Sequence, residues 1–260
     1  MRCNEMIRKL EELSPISYAE SWDNPGLLAG RYEKEIKKVY IALDATTEVI
    51  EEAIRCEADM ILTHHPLIFK GIKKVNSEDF VGRRILSMLQ ADVCYYAMHT
   101  NFDVMGMADA AADKLSLEER KVLEVTYEKD GVAEGIGRIG ILSQNMTLDA
   151  CAKLVKKVFG IEWVKVFGDS DMQIKKVAIS PGSGKSMIGA ALNGKADVLI
   201  TGDIGHHEGI DAVAQNLAII DAGHYGIEHI FIEDMKEYFN QKLPELIIGT
   251  AAIEHPFQTI

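Results

Sequence analysis

Two similar stretches of the chain, 138 positions apart, decide the fold. Residues 58–72 read ADMILTHHPLIFKGI, and residues 196–210 read ADVLITGDIGHHEGI. Alanine, aspartate, threonine, glycine and isoleucine occupy equivalent positions, and the apolar run that precedes the threonine is kept in both stretches. This self-similarity indicates that the protein contains a duplicated unit.

The similarity continues upstream at the same offset. KVYIALDATTEVIEEAI at 38–54 faces KVAISPGSGKSMIGAAL at 176–192. Each copy has the pattern of a strand, a polar turn, a helix and a second strand, and the strands are near-continuous aliphatic runs, typical of buried parallel strands. Residues suited to capping begin the predicted helices: Thr46 and Thr47 in the first copy, Ser183 and Ser186 in the second.

We therefore predict an α/β fold made of two similar α/β lobes, each containing a βαβ unit. A chain of 260 residues with 47% hydrophobic content is long enough for two such cores. The first lobe is expected to span residues 1–125 plus 221–260, and the second lobe residues 126–220.

The charge balance narrows the classes of partner. The formal net charge of −12 argues against nonspecific binding to nucleic acid or to an anionic membrane, because both need a basic surface. Residues 1–13 have the spacing of an amphipathic helix rather than of a signal peptide, and no stretch approaches the roughly 20 apolar residues of a membrane span. We expect a cytoplasmic protein that binds neither membrane nor nucleic acid.

Histidine is concentrated at the ends of predicted strands. His64 and His65 form a doublet where the run MILT ends. Adjacent side chains on a strand point to opposite faces, so the doublet either divides between core and solvent or leaves the strand and turns both rings to one site. His206 and His207 form a second doublet, which we expect to support the site without binding metal.

A second pattern, histidine followed four residues later by a carboxylate, occurs twice. CYYAMHTNFD at 94–103 and AIIDAGHYGIE at 218–228 both place it directly after an apolar run. In open α/β sheets ligands bind beyond the carboxyl ends of the strands. The two half-sites are therefore expected to converge on one cleft between the lobes.

Imidazole and carboxylate groups from several strand ends are suited to a hydrolytic metal centre. Five donors are too many for one catalytic zinc with an open position, and they suit two ions that share a bridging carboxylate. The competing interpretation, that a histidine at a strand end only hydrogen-bonds the backbone, is less suited to a doublet plus two repeated sets. The predicted ligands are His64, His65, Asp103, His224 and Glu228.

Two glycine-rich motifs imitate nucleotide-binding loops. GIGRIG at 135–140 fits the dinucleotide fingerprint but does not follow a buried strand and open a helix, so we predict a hairpin or strand there. PGSGKSM at 181–187 lacks the first glycine of a phosphate loop, because that position is Ile179, and we predict a tight strand-to-helix turn.

Several motifs occur in one order along the chain: SWDNPGLLAG at 21–30, ILTHHPLIFKGIKKV at 61–75, HTNFDV at 99–104, GIGRIG at 135–140, TGD with HH at 201–207, and DAGHYGIE at 221–228. Together they resemble the GTP cyclohydrolase 1 type 2 family, also called Nif three-like. The resemblance implies a dinuclear metal site between two α/β lobes, a toroidal homohexamer, and a short form without the domain inserted in longer members. It also implies the same five ligands, with Glu228 or Asp103 as the bridge.

The resemblance implies a reaction as well, the hydrolytic opening of the imidazole ring of GTP with release of formate. His99 would act as a proton shuttle or would orient a ligand by a hydrogen bond. Lys70, Lys73 and Lys74 follow the doublet and would bind the triphosphate of this small-molecule substrate.

Two other functions use the same residues. One is a metal-binding regulator or assembly factor without turnover, and the other is a dimetal phosphoester or nucleotide hydrolase. The two divalent ions would be zinc, iron, manganese or nickel, because mixed nitrogen and oxygen ligands accept all four.

Overall fold

The computed structural model describes residues 1–258, with the side chain of Lys129 set aside. The chain divides into two compact units, and each is described by itself. The first unit contains Met1–Phe102 and Phe231–Glu254, and the second contains Asp103–Ile230 and the residues from His255 onward.

A five-stranded sheet forms the centre of the first unit. Its order is β1-β4-β3-β2-β11; four strands run parallel, and β1 pairs antiparallel with β4. The histidine doublet follows the middle strand, β3. The strands are β1 (Gly26–Ala29), β2 (Lys38–Ala42), β3 (Met60–Thr63), β4 (Cys94–Ala97) and β11 (Ile247–Thr250).

Helices cover this sheet and bury a core of apolar side chains. The second helix begins where the sequence predicts, because Thr46 Oγ1 accepts a hydrogen bond from the backbone N–H of Val49 at 3.2 Å. Tyr40, Ile61 and Tyr95 belong to the buried cluster beneath it. The helices are α1 (Cys3–Leu13), α2 (Thr47–Arg55), α3 (Phe80–Gln90), the short α4 (Thr100–Phe102) and α10 (Ile230–Lys242).

The second unit contains a six-stranded sheet. Its order is β5-β6-β8-β9-β10-β7; the β8–β9 and β9–β10 pairs are parallel and the other pairs antiparallel. GIGRIG lies inside β6, so the predicted strand is confirmed. The strands are β5 (Glu118–Lys129), β6 (Val132–Thr147), β7 (Lys165–Phe167), β8 (Gln173–Ser183), β9 (Val198–Gly202) and β10 (Ala218–Asp221).

The helices of the second unit are shorter. The helix predicted to begin at Ser183 or Ser186 starts later, because Ser183 ends β8 and a 3₁₀ turn at Lys185–Met187 precedes the first α-helical residue. The predicted strand-to-helix turn itself is confirmed. The helices are α5 (Ala108–Lys114), α6 (Leu148–Phe159), α7 (Ile188–Asn193), α8 (His206–Ala214) and α9 (His224–Glu228).

The duplication is visible in hydrogen bonds that recur in both units. Asp59 Oδ2 accepts from the backbone N–H groups of Lys37 and Lys38 at 2.8 and 3.0 Å. Asp197 Oδ2, 138 positions later, accepts from the equivalent N–H groups at 175 and 176, at 2.8 and 2.7 Å. The predicted α/β fold with two similar units is therefore confirmed.

The bounds of the two units differ from those inferred from the sequence, which placed the boundaries between the lobes near residues 125 and 220. Residues 118–129 belong to the second unit because β5 pairs with β6 along its whole length. Residues 224–228 belong there as well, because α9 contacts β8 and β9. The segments that repeat at the 138-residue offset include neither β5 nor α9, so that offset could not place either boundary.

Among the residues that the structure describes, no helix is long and apolar enough to cross a membrane.

Candidate metal centre

The histidine doublet leaves the end of β3 and turns both rings to one site. The ring centroids of His64 and His65 lie 4.9 Å apart. Thr63 Oγ1 donates to the carbonyl oxygen of His65 at 2.8 Å, and the backbone N–H of His65 donates to the carbonyl of Leu43 at 3.0 Å. The turn is thus held on both sides, and the alternative in which the doublet divides between core and solvent is excluded.

A buried tyrosine fixes the same turn. The hydroxyl of Tyr95 donates to the carbonyl oxygen of His65 at 2.9 Å and accepts from the backbone N–H of Leu67 at 2.8 Å. Burial raises the pKa of Tyr95 to about 12, so the hydroxyl keeps its proton and remains a donor at neutral pH.

His99 joins the doublet. It follows the end of β4, and each of His64, His65 and His99 offers one ring nitrogen within 4.8 Å of the others. The sequence placed His99 outside the ligand set and left its role open between a proton shuttle and a ligand-orienting group. The structure places it beside the doublet, where either role requires it to be.

Four histidines share one feature, an oxygen acceptor on Nδ1. When Nδ1 carries the proton of a neutral imidazole, the lone pair is on Nε2, the atom that then binds a metal ion or a proton. The acceptor also fixes the direction of the ring. The pairs are His64 with the carbonyl of Met98 at 2.8 Å, His65 with Asp44 at 2.8 Å, His99 with Asp23 at 2.7 Å, and His224 with Asp203 at 2.7 Å.

His224 and Glu228 lie one helical turn apart on α9. His224 Nε2 and Glu228 Oε2 are 3.0 Å from each other, and only 2% of Glu228 is exposed. The spacing of four residues places both side chains on one face of a helix. A nitrogen and a carboxylate oxygen this close can bind the same divalent ion, as the sequence predicts.

A glycine of the PGSGKSM motif makes room for this pair. Gly182 has φ +78°, and a Cβ atom placed there would lie 2.3 Å from Oε1 of Glu228 and 3.8 Å from Nε2 of His224. The sequence interpretation treated this motif only as a turn. The structure shows that the turn also forms the surface against which the carboxylate lies.

A buried carboxylate positions the two loops that bear Asp203 and His224. Asp221 Oδ1 accepts from the backbone N–H of Gly223 at 3.0 Å, and its Oδ2 accepts from that of Ile204 at 3.1 Å. Lys165 balances its charge through an ion pair of 2.6 Å. Asp221 therefore fixes the loop that bears Asp203 relative to the loop that bears His224.

Asp103 begins a π-helical turn, Asp103–Met107, directly after α4. Arg138, the arginine of GIGRIG, donates to the carbonyl oxygen of Val104 at 3.2 Å and makes two bonds of 2.8 Å to Asp109. The π turn, a feature that often marks functional sites, is thus fixed by a buried arginine. The arginine of GIGRIG therefore holds the backbone next to a predicted ligand.

The second doublet does not support His224. His206 and His207 are exposed at the start of α8, where their rings contact each other at 5.2 Å. Asp203, which occupies the position equivalent to His65 in the repeat, makes the supporting hydrogen bond instead. The expected supporting role of His206 and His207 stays a prediction, since the hydrogen bond to His224 is made by Asp203.

Lys70, Lys73 and Lys74 are exposed in the irregular segment between β3 and α3. Exposed lysines can bind phosphate or only face solvent, so their role stays a prediction.

The sequence interpretation gave no role to four carboxylates near the predicted ligands. Their shared signal is position, since three lie at or just after the carboxyl end of a strand and the fourth lies in WDNPG. The residues are Asp23, Asp44, Asp203 and Asp221.

These features define an α/β protein with duplicated units, whose histidines and carboxylates are suited to bind divalent metal ions. The family model for Duf34/NIF3 (NGG1p interacting factor 3) matches residues 1–256, and the chain belongs to this family.

Individual relatives agree with this assignment. A Clostridium perfringens protein named GTP cyclohydrolase 1 type 2 homolog is 35% identical over 265 residues, covering 100% of both chains. A solved Bacillus cereus protein related to NIF3 has a TM-score of 0.91 at 25% identity and covers 100% of this chain and 99% of its own. A solved Staphylococcus aureus protein has a TM-score of 0.89 at 30% identity, with the same coverage.

Replacing Asp23 by Ala is expected to lower the free energy of unfolding by about 3 kcal/mol at pH 7. The Asp23 side chain is fully buried and accepts hydrogen bonds from His99 Nδ1, from Thr100 N–H at 3.0 Å and from Thr100 Oγ1 at 2.5 Å. The substitution leaves these donors without an acceptor. Urea denaturation monitored by circular dichroism measures the change.

The same variant has a defined pH dependence. Burial raises the pKa of Asp23, but the hydrogen bonds from His99 and Thr100 outweigh burial and lower the pKa from 3.8 to about 2. A carboxyl whose pKa is lowered on folding stabilises the fold above its unfolded pKa, and this stabilisation is lost as the pH falls from about 4 to about 2. The difference in free energy of unfolding between Asp23→Ala and the natural protein should therefore shrink over that range.

Asp79→Ala is the control. It removes one cap on α3 and should lower the free energy of unfolding by only about 1 kcal/mol.

Proposed function

We propose that the protein is a metal-dependent hydrolase that opens the imidazole ring of GTP and releases formate. The names of its curated relatives support the reaction. One structural observation supports the proposal that the protein binds metal. His64, His65 and His224 each have Nδ1 bound to an oxygen acceptor, which leaves the lone pair of the neutral ring on Nε2, the atom that binds a metal ion.

The proposed ligands are the five that the sequence predicts: His64, His65, Asp103, His224 and Glu228. The donor set fits a pair of divalent ions, because it combines neutral imidazoles with carboxylates that offset the charge of the ions. Bound divalent ions would supply Lewis-acid chemistry, lowering the pKa of water and polarising the substrate.

His99 is the proposed proton shuttle. Water adds to the carbon between the two imidazole nitrogens of guanine, and one of that carbon's bonds to nitrogen breaks, which leaves a formamide. A second water then hydrolyses the remaining carbon–nitrogen bond and releases formate. Each step needs a group that accepts a proton from water and returns it to the nitrogen that leaves. The carboxylate of Asp23 holds Nδ1 of His99 at 2.7 Å, so Nε2 is the atom that exchanges the proton.

Formate production tests the reaction directly. Protein loaded with zinc, iron, manganese or nickel and incubated with GTP should release formate, and the triphosphate should stay on the product. His99→Gln should reduce kcat by about 100-fold or more while metal content stays constant. The exposed His207→Ala is the matched histidine control and should retain full activity.

A metal-binding protein without turnover is the second candidate. The net charge of −12 favours it, because a negative surface repels a triphosphate unless lysines offset it locally. The same experiment separates the two functions, since a regulator or assembly protein would hold metal and release no formate. Release of phosphate from GTP would instead identify a dimetal phosphoester hydrolase.

The lysine prediction has its own test. If Lys70, Lys73 and Lys74 bind phosphates, replacing all three by Ala should raise KM for GTP and leave binding of guanosine unchanged. Equal effects on both ligands would contradict phosphate binding.

We also expect the protein to form a homohexamer, as the resemblance implies. Light scattering should then give a mass of six chains in solution.

A further inference from the structure

Two large aromatic side chains next to His99 are exposed. Trp22 is 57% exposed and Phe69 is 46% exposed. Their ring centroids lie 5.7 Å apart, and they lie 6.1 and 6.2 Å from the ring of His99. The exposed aromatic surface is therefore continuous with the histidine that we propose as the proton shuttle.

The loop that bears Trp22 is held rigidly. The next residue, Asp23, bonds to His99 and Thr100, and Asn24 Nδ2 donates to the carbonyl oxygen of Ile68 at 2.6 Å. The Asn24 bond ties the Trp22 loop to the segment that bears Phe69. A loop held in this way loses little conformational freedom when a ligand binds, which favours affinity.

The chemistry of the surface indicates its ligand. Indole and phenyl faces stack on planar rings, and such stacking tolerates any heteroaromatic ring because each one has a π face. A stacked ring would lie next to His99, the proposed proton shuttle. Orientation by an aromatic face and one nearby polar group is typical of small-molecule sites.

We propose that Trp22 and Phe69 form the binding surface for the purine ring of the substrate. The assignment rests on the proposed function and deepens it, since it separates recognition of the base from recognition of the phosphates.

Tryptophan emission tests the proposal without catalysis. The chain has two tryptophans, so Trp163→Phe leaves Trp22 as the single reporter. Guanosine, which has the base but no phosphate, should quench this emission saturably, and inorganic tripolyphosphate should not.

Calorimetry with guanosine provides a second readout. Trp22→Leu should weaken binding by about ten-fold or more, because an aliphatic side chain fills the space but cannot stack. Tyr32→Leu is the control, since Tyr32 is another exposed aromatic, at 59%, on a different turn of the same unit. It should leave the affinity unchanged.

Three results would overturn the proposal: no quenching by guanosine, equal affinity in Trp22→Leu and the natural protein, or Trp22 emission that changes only with protein concentration. The last would show that a second copy of the chain covers this surface.

A different result would contradict the proposed function, so the two proposals can be tested separately. Quenching by guanosine without formate release from GTP would remove the hydrolase and keep the purine site. Formate release with an unchanged KM in Trp22→Leu would keep the hydrolase and remove the purine site.

Discussion

Replacing Glu228 by Gln is expected to weaken divalent metal binding by more than about 100-fold and to leave the fold intact. Loss of a group that only supports a ligand typically costs 10–100-fold, and Glu228 is proposed as a direct ligand. Its carboxylate is buried 3.0 Å from His224 Nε2. An amide has nearly the same shape but no negative charge, so it offsets none of the charge of the ions.

Metal titration and thermal unfolding together measure this effect. With both proteins free of metal, Glu228→Gln should unfold at a temperature no lower than that of the natural protein. The reason is that a buried amide costs less free energy than a buried carboxylate. Glu237→Gln removes the same charge from the exposed face of α10 and should bind metal normally. Normal metal affinity in Glu228→Gln would remove Glu228 from the ligand set.

Replacing Gly182 by Ala is expected to reduce both stability and metal affinity. The backbone there has φ +78°, which costs a residue with a side chain about 1–2 kcal/mol. The new Cβ would lie 2.3 Å from Oε1 of Glu228, so the carboxylate must leave its present position beside His224. We expect about 10–100-fold weaker metal binding, the range seen when the support of a ligand is lost.

Gly189, two residues after the PGSGKSM motif, supplies the control. It lies in α7, and a Cβ atom there meets nothing within 4 Å. Gly189→Ala should therefore stabilise the protein by about 0.5–1 kcal/mol, the usual gain in a helix, and leave metal binding unchanged. If Gly182→Ala binds metal as tightly as Gly189→Ala, the carboxylate does not depend on this glycine.

The repeat made the fold predictable. Parallel strands between helices follow from two aliphatic runs per copy, and Asp59 and Asp197 make the same pair of backbone bonds in both units. The bounds of the units were not predictable from the 138-residue offset, because β5 and α9 contact the second sheet outside the segments that repeat at that offset.

The predicted site residues could be found because histidine and carboxylate follow strands directly. Their supporting partners could not be found in this way. Asp23 bonds to His99 across 76 positions of sequence, and Asp44 bonds to His65 across 21. Such pairs depend on which strands become neighbours and in which register, and local sequence patterns contain little of that information.

The second doublet shows the limit of the repeat. Alignment of the copies places Asp203 at the position of His65. In the structure the two residues have different hydrogen-bonding roles. His65 Nδ1 donates to a carboxylate, whereas Asp203 is the carboxylate that accepts from His224. Equivalent positions of the repeat therefore need not have the same role at the site.

Metal content per chain tests the central claim most directly. Protein purified without chelator and reloaded with zinc, iron, manganese or nickel should approach two ions per chain by elemental analysis. His65→Ala should lose at least one ion, and His207→Ala should keep both. A content of zero after reloading, or equal loss in the two variants, would contradict the account.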